Sequence, residues 1–460
     1  MAETVQHFIL ITEKNREQVV RTIKKLILRR KSEWLSQLLG KLHASDLTHI
    51  WNYFSTVEKS QILNNLKEED SAAFLAELDP KLSAAILRTQ DTEWIVDRLE
   101  ELDPDDSVDI LKTLSDWEAD FIIRRFDAEY SKKIKELLHY PEETAGALMT
   151  SDFIAVSQKA SVETIIKQFR KESQKNQFED LHFIYIVNEK THLVGYIPLR
   201  KLIIEKPGKL AKDIMKPLPV LVRPETDQEE VAKLFRDYDL ISAPVVNEDN
   251  ILLGRITIDD IVDVLEEEAS EDVYRMFGLN KKEKFSNGIL LSLRHRLPWM
   301  FINIATTTIS ALVIGLYQGL IQEFVVLAMF MPMVAALGGA TGNQMVAMVV
   351  RGLALGKLHW VQIRWVLFRD VTAVILGAIL VGSLISIVAH LLYNNYLLGM
   401  IVAIALLLNM VFATIMGAAI PLLLKFFKMD PAYGSSILVA ASTDIMGFFI
   451  FLALASEIFL

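Results

Sequence analysis

The feature that most constrains this chain is the separation of its charge. Between Leu297 and Leu460 there are only six Lys/Arg and five Asp/Glu, against 48 and 58 in all 460 residues. A mean hydropathy of +0.29 beside 23% charged residues is consistent only with such a split. The last third must bury itself in an apolar medium. Met1–Arg296 is an acidic region of net charge −11. That acidity repels phosphates, so nucleic acid is excluded as a natural partner. The chain contains no cysteine, which removes disulfides, iron–sulfur clusters and thiolate zinc sites.

Five apolar runs, Leu297–Tyr317, Phe324–Val350, Val371–Leu392, Leu397–Leu424 and Ala432–Phe459, reach the roughly 20 residues a helix needs to cross a bilayer. Basic residues precede the first run (Arg294, Arg296), separate the second from the third (Arg351, Lys357, Arg364, Arg369), and separate the fourth from the fifth (Lys425, Lys428). The connections after the first and third runs carry no Lys or Arg. The positive-inside rule then predicts a multi-pass protein of the cell (inner) membrane. Its N-terminus is expected inside and its C-terminus outside. No apolar core of signal-peptide length precedes Lys24–Lys31, so the acidic region is expected to stay in the cytoplasm.

Two interiors stand out. The second run contains Gly338, Gly339 and Gly342 with Thr341, Asn343 and Gln344. Such a sequence is expected to loosen a helix and line a wet path, with close helix packing as the competing reading. The fifth run places Asp444 midway along apolar sequence, and no Lys or Arg lies deep in any run to meet it. An ionised carboxylate there costs at least ~2.5 kcal/mol unless a cation, water or polar partner serves it. Asn343 and Asn409 are the neutral candidates. Oxygen donors alone suit hard ions such as Mg2+, Ca2+ or Mn2+. Gly352–Lys357 resembles a phosphate-binding loop, but Leu358 stands where Ser or Thr is required. No nucleophile, His and acid arrangement is present, and no enzyme is expected.

The acidic region reads as three parts. Residues 1–143 are helical, with Leu78-Asp79-Pro80 recurring as Leu102-Asp103-Pro104, an N-cap followed by Pro at the first helical position. Short helices at this spacing predict a superhelical stack, with Asp105, Asp106 and Asp109 at one exposed end. Residues 144–208 and 209–267 repeat a β-α-β-β-α unit: Phe183–Asn188 matches Ser242–Asn247, and Gly195-Tyr196-Ile197 matches Gly254-Arg255-Ile256. Here the chain resembles tandem CBS domains, regulatory modules that often bind adenine nucleotides. The resemblance assigns phosphate and ribose to Thr257 and Asp260 in the second copy, while the first has Pro198 and Lys201 there. ATP is therefore expected weakly, and at the second copy alone. Residues 268–296 link this module to the apolar region. The stretch leading into them is acidic, with Asp260, Asp263, Glu267 and Glu271 on one helical stripe. Divalent cations would relieve the repulsion among them.

A helical acidic N-domain, paired CBS modules, an acidic linking helix and a five-helix membrane domain (297–460) together resemble the MgtE family of Mg2+ channels. The specific marks are Gly338 to Gln344, Asp430-Pro431-Ala432, Asp444 and Ser270-Glu271-Asp272-Val273. The family has Asn where this chain has Ala340. The resemblance implies a homodimer in the lipid bilayer with its pore on the two-fold axis, lined by Asp444, Asn343, Thr341, Gly338, Gly342, Ala440 and Asn409. It also implies that cytosolic Mg2+ locks the pore shut by binding among Asp105, Asp109, Asp227, Glu229, Asp239, Asp260, Asp263, Glu268, Glu271 and Asp272. Two other functions fit less of the sequence. A carrier of Co2+ or Mn2+ would use the same carboxylate, and a membrane-tethered nucleotide sensor would leave Asp444 without a role.

Overall fold

The computed structural model describes residues 10–173, 181–279, 288–358 and 360–459. The chain divides into two compact units, Met1–Val264 and Leu265–Leu460.

The first unit begins with short helices whose ends are written in the sequence. Pro80–Leu87 and Pro104–Lys112 each carry Pro in the first turn behind an Asp N-cap. The repeat extends to the packing. The Ser83 hydroxyl donates to the Leu75 carbonyl at 2.8 Å, and the Ser107 hydroxyl donates to the Leu99 carbonyl at the same distance. Both serines are fully buried, so each fixes the turn between consecutive helices in the same way. Ser55 with Glu58 and Ser115 with Glu118 form capping boxes on two further helices.

The paired modules follow. Strands β1 (Ala155–Ser157), β2 (Phe183–Val187) and β3 (Leu193–Pro198) form one sheet, with β1 parallel and β3 antiparallel to β2. Strands β4 (Ser242–Val246) and β5 (Leu252–Thr257) form an antiparallel pair. The repeat is exact enough to share its register: Ile186 pairs with Gly195 as Val245 pairs with Gly254, and both ladders shift one residue later. The expected leading strand of the second copy is reduced to a single bridge from Val222 to Val245. Pro224, two residues on, has no amide to extend a ladder. The copies exchange their opening residues. A Cβ on Gly195 would strike the Lys216 carbonyl at 2.7 Å, and one on Gly254 would strike that of Thr150 at 2.6 Å. Glycine is required at both crossings.

One apolar core joins the last N-domain helices to the second copy, containing Leu99, Leu111, Ile134, Phe235, Ile256 and Ile261. The first copy has its own, around Ile165, Ile184 and Ile197. From the second copy an uninterrupted helix, Ile258–Met276, forms the link. It starts ten residues before the expected linking segment 268–296 and covers that segment only to Met276, and the segment's last residues belong to the helix Ile289–Leu316.

Among the described residues the second unit contains five helices long and apolar enough to span a membrane: Ile289–Leu316, Val326–Ala354, Gln362–Tyr393, Tyr396–Phe426 and Ser435–Phe459, hereafter spans one to five. Spans one and three start eight and nine residues before their apolar runs, taking in Arg294 and Arg296 and Arg364 and Arg369, whereas spans two and five start two and three residues after theirs. Span four packs against spans two, three and five; span one packs against span five.

The glycine run does not loosen span two, which is helical throughout. Gly338 on span two and Gly447 on span five both face the Asn409 side chain of span four, and a Cβ at either position would overlap its amide. The Asn409 Nδ2 donates to the Val334 carbonyl at 3.0 Å. Gly342 faces Val439 and receives Gly417 against its carbonyl. Each helical glycine costs about 1 kcal/mol relative to alanine, which close approach of three helices offsets.

Candidate cation sites

The linking helix begins where the second module's β5 ends, and its first turn carries Asp259 and Asp260. The shared core brings that turn against the start of Pro104–Lys112, so carboxylates distant in sequence meet. Asp105 is buried, not at an exposed end as its polarity suggests, and its Oδ1 has no hydrogen-bond partner. Burial, then the charges of Asp260, Asp106 and Asp103, pushes its carboxyl well above the usual range. Burial and the charges of Asp260 and Asp103 push Asp106 up to about 7. Burial also drives Asp260 to about 7, against a hydrogen bond from the Thr257 hydroxyl at 2.7 Å that pulls it down. The pair expected to hold a nucleotide, Thr257 and Asp260, is thus bonded to itself and faces the acids.

The other expected ligands are more dispersed. Asp109 and Asp263 are exposed, and so is Asp239, at positive φ. Asp227 caps its helix by accepting from the Glu229 amide at 2.8 Å, and Glu229 pairs with Lys233 at 2.7 Å. Glu268 and Asp272 are half-buried on the linking helix. Glu271 is buried, and its carboxylate meets the Arg275 guanidinium. Among the described residues, no three His, Asp or Glu are grouped closely enough to hold a metal ion. The sequence reading passes over Arg275, although it is the first basic residue after the acidic run, which was the signal available.

In the membrane unit, Asp444 is half-buried on span five and has no hydrogen bond or ion pair among the described residues. Ala440 lies one helical turn before it, also half-buried. Asn343 is half-buried with its Oδ1 unpartnered. Gly338, Thr341, Gly342 and Asn409 are instead enclosed within the chain, the Thr341 hydroxyl donating to the Leu337 carbonyl at 2.8 Å.

Comparison with known proteins bears on these sites together. The family described as divalent cation transporter, MgtE, matches residues 331–454; the MgtE intracellular N domain matches 42–143; the CBS domain matches 145–207 and 211–267. The magnesium transporter MgtE of Bacillus subtilis (strain 168) is 30% identical over 91% of this chain and 92% of its own. The chain belongs to the MgtE family. The MgtE of Enterococcus faecalis is 31% identical over 99% of this chain and 97% of its own. A crystal structure of the cytosolic domain of the Mg2+ channel MgtE in complex with ATP superposes with a TM-score of 0.50. It is 32% identical and covers 53% of this chain and 98% of that one. MgtE membership makes the five apolar helices a membrane region and puts the N-terminal and CBS domains in the cytosol.

Proposed function

We propose that this MgtE protein is a Mg2+-selective channel for magnesium uptake, shut by cytosolic Mg2+ bound around the first turn of the linking helix. The observation that carries the reading is Asp444, a carboxylate inside an apolar span with no hydrogen bond or ion pair among the described residues. A single carboxylate holds a divalent ion poorly. Mg2+ gives up its waters reluctantly and is bound through one or two carboxylates with water between. A homodimer with its path on the two-fold axis supplies the second Asp444, with Asn343 and Ala440 beside it. The enclosed Gly338, Thr341, Gly342 and Asn409 hold the helices that present it.

Closure follows from the acids at Asp105, Asp106 and Asp260, with Asp109 and Asp263 nearby. Asp227, Glu229, Asp239, Glu268 and Asp272 add negative field. Buried carboxylates that repel one another favour a bound divalent ion, and several weak sites respond in the millimolar range. ATP would meet Thr257 and Asp260 and compete for the same carboxylate. By the positive-inside rule the basic connections support a C-terminus on the outer side. Neither an enzymatic reaction nor nucleic acid enters this reading.

Mg2+ flux into liposomes containing the purified protein, with internal Mg2+ varied, is the test. Wild-type protein should conduct and close as internal Mg2+ rises, and Asp444→Ala should abolish flux while remaining folded. Normal flux through Asp444→Ala would sink the pore assignment, and a strong preference for Co2+ or Mn2+ would replace Mg2+ as the cargo.

A further inference from the structure

The far end of the linking helix is built unlike its beginning. Arg275, in its last turn, sends its guanidinium to Glu271 one turn earlier and to Asp430 in the connection between spans four and five. Asp430 is not a loose surface acid. Its Oδ1 accepts from the Ala432 amide at 2.7 Å and shapes the turn, leaving Oδ2 for Arg275. The backbone joins at the same place, the Gly434 amide donating to the Arg275 carbonyl at 2.8 Å. Span five begins at the next residue, Ser435, and leads to Asp444.

A third element closes the joint. Trp299, ten residues after the first residue of span one, lies between Gly278 after the linking helix and Gly434 before span five. Both glycines hold positive φ, +70° and +64°, where a side chain is strained. A Cβ on Gly278 would come within 2.6 Å of the indole, and one on Gly434 would enter its ring. Tyr433 packs edge-on against it, ring centroids 5.3 Å apart. An ion pair, a main-chain hydrogen bond and an aromatic wedge therefore fasten one point.

We infer that Arg275 is a positioning residue for gating: a built-in cation that clamps the linking helix to the entry of span five, with Trp299 seating the joint against span one. This deepens the proposed function and rests on it. The guanidinium stands between Glu271 and Asp430, where a divalent ion would otherwise have to bridge them. Its planar fork can serve two carboxylates at once. This joint consequently needs no Mg2+. It passes a change at the ion-dependent end of the helix to the span that carries Asp444, and without it the helix could respond to Mg2+ while the pore did not.

The test uses the full-length protein in liposomes, comparing wild type, Arg275→Ala, Arg275→Lys, Asp430→Asn and the Arg275→Ala/Asp430→Asn double variant. Asparagine at 430 keeps an acceptor for the Ala432 amide but removes the charge. Both disruptive single variants should raise the internal Mg2+ needed for half-closure by about tenfold, the scale of ordinary coupling between sites. Maximal flux at low internal Mg2+ should be unchanged. The double variant should be no worse than either single, because one link is lost in each, and lysine should restore part of the effect. Folded variants that close at the wild-type Mg2+ concentration would overturn the inference and leave the channel reading intact. So would a fall in maximal flux with an unmoved midpoint, which marks a merely structural role. Wild-type protein that conducts but never closes would remove the gating reading, and this inference with it.

Discussion

The two ends of the linking helix handle the same electrostatic problem differently. At its start burial raises Asp105, Asp106 and Asp260; the charge of Asp260 adds to the first two, and those of Asp259 and Asp103 add to Asp260. At its end Glu271 and Asp430 also converge, but Arg275 stands between them. On the proposed reading the first end answers to protons or divalent ions from solution, whereas the second has Arg275 as its cation. The contrast assigns ion dependence to the first end and permanence to the second.

The largest effect expected from breaking the contrast comes from neutralising its open end. In the full-length protein, limited proteolysis of the cytosolic region should be slow with Mg2+ and faster in EDTA. Asp105→Asn, Asp106→Asn and Asp260→Asn combined should make the two rates equal, since repulsion and ligand are removed together. Close pairs near a protein surface each cost up to a few kcal/mol before screening. That exceeds what is needed to change cleavage rates about tenfold, and it approaches the ~5.5 kcal/mol that swings a two-state equilibrium fully. Wild-type cleavage identical with Mg2+ and EDTA would end the sensor reading even if Asp444 conducts.

Protons should imitate the metal. Asp106 and Asp260 hold their protons up to about 7, against 3.8 for an ordinary aspartate. Between those values the folded state binds more protons than the unfolded chain, so stability falls as pH rises through this window. The penalty is complete above about pH 7 and is relieved on acidification. Each group contributes at most about 4 kcal/mol at pH 8, and less in combination because the two titrate together. In EDTA, the unfolding temperature of the cytosolic region should therefore climb between pH 8 and pH 5.5. Saturating Mg2+ should flatten that slope. A slope of opposite sign would show that these carboxylates are stabilised by ionisation.

The sequence carries the features that depend on local order. Apolar runs reveal the five spans, and the paired Gly195 and Gly254 reveal the module repeat because each strand needs glycine at the same register. Asp-Pro marks two helix starts. Contacts between distant segments were harder to read. Asp105 is buried by a module that follows it by more than a hundred residues, and polarity alone suggests exposure. Arg275 and Asp430 lie 155 residues apart. The glycines of span two appear loose in sequence because the residue they accommodate, Asn409, belongs to another helix. The expected metal ligands show the same limit: acidity locates the regions, but not which oxygens meet.

The smallest effect tests a single hydrogen bond. Thr257 donates to Asp260 at 2.7 Å and favours its ionised form, opposing the burial that raises it. Thr257→Val keeps the shape and removes that donor. Asp260 should then hold its proton still more tightly, and Mg2+ must displace that proton to bind. The hydroxyl favours the ionised over the protonated carboxyl by about 1 kcal/mol, the usual net worth of a hydrogen bond. At pH 7 the Mg2+ midpoint for protection from protease should therefore rise about two- to fourfold. At pH 8.5 most of the shift should vanish, because the carboxyl ionises without help. The Arg275 joint involves neither the proton nor the metal, so Asp430→Asn should leave this midpoint unmoved at both pH values while still altering channel closure. An equal shift at both pH values for Thr257→Val would mean that the hydroxyl serves the ion directly and not through Asp260.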